Sequence, residues 1–234
     1  MAKSKIIKEL ANSSIDTQTA LKRTKVLLQE LDNEDVLKWI NYEIEGYPSD
    51  VEVPKYRKIN GQLYGSYFKG SMASHMTYTH VPLPLGKMSD EERQNILFTN
   101  VTQGIQALRR MVAESEESEN KTLAKGVPAD FYPYISHSNN DPYMIITSAS
   151  VELNMPELLN IFSKVESILL DILYYLEKQF GNLDELDIDV ESKNEEELKE
   201  IVQHIQVIIY NDHSVSIGNN NKIKDSTISS VIEQ

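Results

Sequence analysis

Apolar residues recur at helical spacing from the start of the chain. Ile6, Ile7 and Leu10 predict a short amphipathic first helix. Leu21, Leu28 and Leu31 form the stripe of a second, widened by Val26 and Leu27. Ser13 or Ser14 is its expected cap, with Asp16 and Thr17 in its first turn. Val36, Leu37, Ile40 and Ile44 repeat the spacing in a third helix. Asp32 is its expected cap, and Glu34 and Asp35 suit its positive end. Gly46 stops this helix, and Pro48 prevents its continuation.

After Pro54 the period changes. Polar residues from Tyr56 to Ser66 alternate with Ile59, Leu63 and Tyr67, and Gly61, Gly65 and Gly70 punctuate the run. This predicts a strand with a bulge, a turn, and a second strand through Met76 to Val81, ended by Pro82 and Pro84. Ser89 and Glu92 have the spacing of a capping box, so one or two helices follow to about Glu114, with Gly104 a point of interruption. The run Glu114 to Glu119 reads as a solvated helix end or loop. Residues 126–142 hold Gly126, Pro128, Pro133 and Pro142, which predicts a long loop packed down by Phe131, Tyr132 and Tyr134.

Tyr143 to Leu153 reads as a strand, and Met155-Pro156 opens the strongest helix of the chain. Leu158, Phe162, Val165, Leu169, Ile172 and Leu176 alternate steps of four and three. Leu159, Ile161, Ile168 and Leu173 broaden that face, as expected of a core helix spanning roughly 36 Å. Residues 177–200 carry ten acids against three bases, with Leu183, Leu186, Ile188 and Val190 as a short strand or tether. Glu195 to Ile205 predicts another helix. From Val207 onward, branched apolar residues alternate with polar ones around Asn- and Gly-rich turns, including Ser214–Gly218 and Lys222–Ile228. Such short strands need neighbouring strands to cover them.

Composition narrows the function. Twenty-three Lys and Arg stand against 36 Asp and Glu, a net charge of −13 over 234 residues. Phosphate binding needs clustered cations, so nucleic acid is not an expected partner. Lys3, Lys5, Lys8, Lys22, Arg23 and Lys25 are interleaved with acids and lack stacking aromatics. The chain has no Cys, which removes disulfides, thiolate metal sites and Cys nucleophiles. No stretch reads as a signal peptide or a membrane span, so a cytoplasmic protein is expected.

The chemistry-bearing residues are sparse. His75, His80, His137, His204 and His213 include no helical metal-site pair, and no metal or cofactor is expected. His137-Ser138-Asn139-Asn140-Asp141 has the residue types of a nuclease site, but a polar turn explains it better. Glu185, Asp187, Asp189 and Glu191 would share a face if they formed a strand; a solvated acidic linker is favoured.

Trp39, Glu43, Gly46, Tyr47, Pro54, Tyr56 and Arg57 stand together as WINYEIEGY followed by VPKYR, after LANSSIDTQTALKRTKVLLQEL. This resembles the AbiTii domain of bacterial abortive-infection, or phage-defence, proteins. Weaker likeness runs through VPLPLGKMSDEERQNI, the long helix and the β-rich end, so it covers most of the chain. The resemblance implies antiviral defence and no particular reaction.

Two readings of the motif remain open. Trp39, Glu43 and Tyr47 are spaced four residues apart and would share a face if the helix held throughout, though Gly46 is expected to bend the chain before Tyr47. With Tyr56 and Arg57 they would form a recognition pocket, Arg57 gripping a phosphate or carboxylate. Alternatively Arg57 pairs with Glu43, and the aromatics lock helix to strand.

The expected fold is α+β: an N-terminal helical unit, a small antiparallel sheet, a long central helix and a C-terminal β tail. Residues 1–180 are expected to form the AbiTii-like domain, 181–206 an acidic linker and helix, and 207–234 a β-rich oligomerisation tail built on Val215, Ile217, Ile223 and Ile228. The expected function is non-enzymatic, through protein–protein contacts and self-association as a homo-oligomer, with a defence effector or phage protein as a further partner. The alternative is a nuclease or nucleotide-processing effector whose site assembles from distant segments.

Overall fold

Two short polar side chains set where the helices of the N-terminal unit begin. The computed structural model describes residues 3–71, 73–117 and 122–210. Helix α1 spans Lys5–Ala11 and buries Ile6, Ile7 and Leu10. Helix α2 spans Thr17–Gln29, and its cap is Asp16, whose carboxylate accepts from the Thr19 amide. Ser13, at φ 52, is used in the turn after α1 and does not cap α2. Helix α3 spans Glu34–Glu45, capped by Asn33, whose side chain accepts from the Val36 amide. Asp32, at φ 45, makes the preceding turn instead of the cap. The buried stripe of α2 runs Thr17, Ala20, Leu21, Thr24, Leu27 and Leu28. Val26 falls off that stripe and is 41% exposed, so it does not widen the core face.

Strand β1 (Lys58–Ser71) follows a short 3-10 turn at Lys55–Arg57, and β2 spans Ser74–Pro82. Helix α4 (Asp90–Leu97) opens on the full Ser89–Glu92 capping box. A three-residue strand, β3 (Phe98–Asn100), separates it from α5 (Ile105–Glu117). Strand β4 is Ala124–Gly126 and β5 is Met144–Leu153. The sheet is antiparallel, ordered β2-β1-β5-β4, with Lys58–Asn60 of β1 also pairing β3. The expected bulge is carried by the neighbours of β1. Opposite Ser66, β2 has two residues, Thr79 and His80, and β5 inserts Thr147. Ser66 compensates: its hydroxyl accepts from His80 N at 3.1 Å, and its carbonyl accepts from Thr147 Oγ1 at 3.0 Å.

One face of the sheet buries Leu63, Met144, Ile146, Ala149 and Val151 against Leu83, Leu85, Met88 and Ile135. Ile135 belongs to helix α6 (Tyr132–Ser138), inside the segment expected to be a long loop. Pro133 is compatible with that helix because it stands in the first turn, where its missing N–H has no partner to lose. Of the three aromatics expected to pack this segment down, Tyr132 does pack against this core, whereas Phe131 is 49% and Tyr134 42% exposed, and Ile135 is the buried anchor.

Helix α7 (Met155–Phe180) runs 26 residues through the larger core. It buries Leu158, Ile161, Val165, Ile168, Leu169, Ile172, Leu173 and Leu176 against α1, α2 and α8. Each such side chain withdrawn from water stabilises the fold by about 1.5–3 kcal/mol. Leu159 lies off this stripe and is 45% exposed. The acidic segment after α7 forms neither a strand nor a free tether. It turns through a 3-10 helix at Val190–Ser192 and buries Leu183 and Ile188 in the same core as α1 and α7. Its carboxylates fasten it further: Asp184 accepts from the Lys5 amide at 2.5 Å. Helix α8 spans Glu195–Tyr210 and buries Ile201, Ile205 and Ile209. Val207 and Ile209, expected to begin the β tail, are thus helical. The remaining tail positions, Val215, Ile217, Ile223 and Ile228, lie outside the described residues. Among the described residues no helix is long and apolar enough to cross a membrane.

Candidate functional site

The motif residues converge where α3 ends and β1 begins. Trp39 and Glu43, one helical turn apart, face the same way on α3. Gly46 ends that helix at φ 110, a left-handed value that suits glycine. A Cβ there would stand 2.9 Å from the Thr102 carbonyl, so the close crossing also requires the missing side chain. The next residue locks the crossing, Tyr47 N donating to Thr102 O at 2.7 Å. The 3-10 turn then delivers Tyr56 and Arg57 back to the same point.

Glu43 is the centre of the resulting network. Its Oε1 accepts from Tyr47 OH at 2.6 Å, Tyr56 OH at 2.8 Å and Arg57 Nε at 3.1 Å. Its Oε2 accepts from Arg57 Nη2 at 2.6 Å. Arg57 Nη1 donates to the carbonyls of Val101, at 3.0 Å, and Gln103, at 2.8 Å. Trp39 Nε1 donates to Tyr56 OH at 3.1 Å, and the Arg57 guanidinium lies 5.0 Å from the Tyr47 ring centroid. Both charged side chains are 0% exposed.

Such a pair is stable only when the lone pairs and N–H groups around it are used, because removing two ions from water is costly. Here they are used. Burial, and then the negative charge of Glu43, push the hydroxyls of Tyr47 and Tyr56 far above the usual phenol range. Both tyrosines therefore remain donors to the carboxylate. Arg57 has its charge met by Glu43 and both Nη1 donors met by two backbone carbonyls, and at 0% exposure it presents no open face toward solvent. The geometry is that of a closed joint between α3, β1 and the 101–103 segment.

The other candidates are dispersed. His75 and His80 lie on exposed β2, against Phe68 and Tyr64 respectively, and His80 Nε2 is 3.1 Å from Glu152 Oε1. Glu185, Asp187, Asp189 and Glu191 do not share a strand face; Asp189 caps the 3-10 turn at Ser192. Among the N-terminal cations, Lys3 pairs with Glu177, and Lys5 and Arg23 pair with Glu9.

His137, Asn140 and Asp141 line an open groove of about 620 Å³ between α6 and the start of β5, with Tyr132, Ser136 and Met144 among its walls. The Asp141 carboxylate is tied to Lys69 at 3.0 Å, and that hydrogen bond holds it below the usual range. Among the described residues no group of three or more His, Asp or Glu side chains is placed to hold a metal ion.

Two features had no signal in the sequence. The carbonyls that complete Arg57 are backbone groups. A part-buried relay also joins three distant positions: Arg109 Nη2 donates to Thr17 Oγ1 at 2.9 Å, and Thr17 Oγ1 donates to Glu166 at 2.6 Å.

The family model of AbiTii matches residues 4–203, a span running from the start of α1 into α8 and containing both the closed joint and the groove. No match was found among curated proteins or among solved structures.

Proposed function

The chain belongs to the AbiTii family of abortive-infection, phage-defence proteins, and from that premise we propose that it serves defence without catalysis, through protein–protein contacts and self-association. The observation that carries this reading is the closure of the Glu43–Arg57 pair. The most distinctive charged residues of the family-like motif spend their hydrogen-bonding capacity inside the fold. Their work is to hold α3 to β1, which suits a scaffold presenting surfaces. The self-association part rests on the pattern after Tyr210, where Val215, Ile217, Ile223 and Ile228 alternate with polar residues and need strands supplied by neighbours.

The test keeps the full chain. Val215→Asp with Ile217→Asp is compared with the unaltered protein by light scattering. The unaltered protein is expected above the single-chain mass of 26.7 kDa and the variant at it. Equal masses for the two would refute self-association through this segment. Metal-dependent cleavage of DNA, RNA or nucleotides by the purified protein, lost in His137→Ala or Asp141→Asn, would replace the non-catalytic reading with an enzymatic one.

A further inference from the structure

One edge of the sheet is half closed. β4 pairs β5 only at Ser150, Val151 and Glu152. Just beyond, Ala149 O accepts from Val127 N at 3.0 Å, and Ala149 N donates to Tyr132 OH at 3.2 Å. Among the described residues no strand lies beside Met144–Ser148 on that edge. In an antiparallel ladder, alternate residues turn their amides to opposite neighbours. Tyr143 O accepts from Gly70 N at 3.3 Å, so Tyr143 and Ile145 face β1. The Ile146 N–H and C=O and the Met144 C=O therefore face outward, into the groove walled on its other side by Tyr132, Pro133 and Ser136 of α6.

The groove has the parts that recognise an extended peptide: free main-chain groups along one wall and a helix along the other, which together take a strand by its backbone and by alternate side chains. Its surroundings are apolar for a surface. Phe131, Tyr134, Tyr143 and Ile145, all on the segment that builds it, are among the large hydrophobic residues left exposed, at 49%, 42%, 62% and 52%.

We propose that this groove receives, as an added strand beside β5, the segment Ser214–Gly218 of a second copy of the chain. The segment has the required chemistry: Val215 and Ile217 alternate with Ser214, Ser216 and Gly218, so one face is apolar for the groove and the other polar for water. Reach selects a second copy. Tyr210 OH donates to Asp35 O, at the start of α3, whereas the far end of α3, at Gly46, is the end that bridges to Gln103 beside β3. The 12 residues of α3 span about 18 Å. From Leu153, where β5 meets the helical core, to Ile146 is about 23 Å more at 3.3 Å per residue. The link from Tyr210 to Ser214 spans at most about 14 Å. Followed along these two elements, the groove lies farther from Tyr210 than the link can span, which points to a neighbour's tail as the occupant.

The inference rests on the self-association reading and is tested separately from it. Ser136→Trp fills the groove from α6, and Ile217→Asp spoils the incoming strand; both are made in the full chain, with far-UV circular dichroism confirming the fold. Each is expected to bring the light-scattering mass down to 26.7 kDa. Because the chain has no cysteine, a second measurement is unambiguous. Mixing Ser136→Cys protein with Ile217→Cys protein under oxidation is expected to give a disulfide-linked heterodimer. If Ile217→Asp dissociates the protein while Ser136→Trp does not, and no mixed disulfide forms, the groove is the wrong receptor and self-association through the tail stands. If Ile217→Asp leaves the mass unchanged, or the unaltered protein is a single chain, both ideas fall. A disulfide formed only within one chain carrying both cysteines overturns the exchange between copies.

Discussion

Glu43→Gln changes almost no volume and removes one charge, which makes it the sharpest probe of the closed joint. Glutamine retains one carbonyl oxygen for Tyr47, Tyr56 and Arg57 Nε, but it places an NH2 group where Oε2 now accepts from Arg57 Nη2 at 2.6 Å. Two donors then face each other, and the guanidinium, 0% exposed, has lost its counter-charge. Removing one partner of a buried ion pair costs about 3–5 kcal/mol. A domain of this size loses about 2–4 °C of Tm per kcal/mol, so a drop of about 6–20 °C is expected. Thermal unfolding is followed by far-UV circular dichroism and by fluorescence of Trp39, the single tryptophan of the chain, whose indole donates into the same network.

A second variant separates the pair from its surroundings. In Glu43→Leu with Arg57→Met no buried charge remains, so part of the loss should be recovered relative to Arg57→Met alone. Recovery is partial because the hydroxyls of Tyr47 and Tyr56 lose their acceptor, at about 1–3 kcal/mol each. A Tm for Glu43→Gln within about 2 °C of the unaltered protein would show that the network is not holding the fold. A double variant no better than the sum of its single changes would show that the two residues are not coupled.

Trp39→Ala should cost about 3–5 kcal/mol in denaturant unfolding, since the indole is 1% exposed; full stability with loss of a binding partner would restore the recognition-pocket reading. Gly46→Ala should lower stability by about 1–3 kcal/mol because φ is 110 and a Cβ meets the Thr102 carbonyl, and an unchanged unfolding curve would contradict that strain. Burial would raise the Glu177 carboxyl, but hydrogen bonds from Lys3 and Ser4 outweigh it and hold it at about 2. Its folded value is depressed, so its contribution is present above about pH 4.5 and is lost as pH falls toward 2. Glu177→Gln should flatten the stability profile in that window, and an unchanged acid limb would remove Glu177 as its source.

The helical body was legible because one buried core reads the same apolar spacing from every helix. Leu21, Ile40, Leu158 and Ile205 all sit where a 3.6-residue period puts them. Its caps were less legible. Ser13, Ser14, Asp16, Asp32 and Asn33 are all chemically able to cap, and the choice among them follows from which backbone is extended and which is left-handed. Charge misled at residues 181–194. Acids on a turn can point to solvent while Leu183 and Ile188 beside them reach the core, and net charge does not distinguish that arrangement from a tether.

The motif and the groove differ in legibility for a physical reason. Trp39, Glu43, Tyr47, Tyr56 and Arg57 lie within 18 positions of each other, and they carry the contact in their side chains. A buried carboxylate demands donors, and Arg57, Tyr47 and Tyr56 supply them, so residue type and spacing are enough to raise the pairing. The groove is made by a helix that carries Pro133 in its first turn and by amides of β5 that lack a neighbour. A main-chain N–H is present at every residue except proline, so an unpaired one leaves no mark in the sequence. It becomes visible only when register is known, here from Gly70 to Tyr143 on one side and from Val127 to Ala149 on the other. The alternation of Ser214–Gly218 is likewise a pattern that suits a strand in want of an edge, but the pattern itself names no edge.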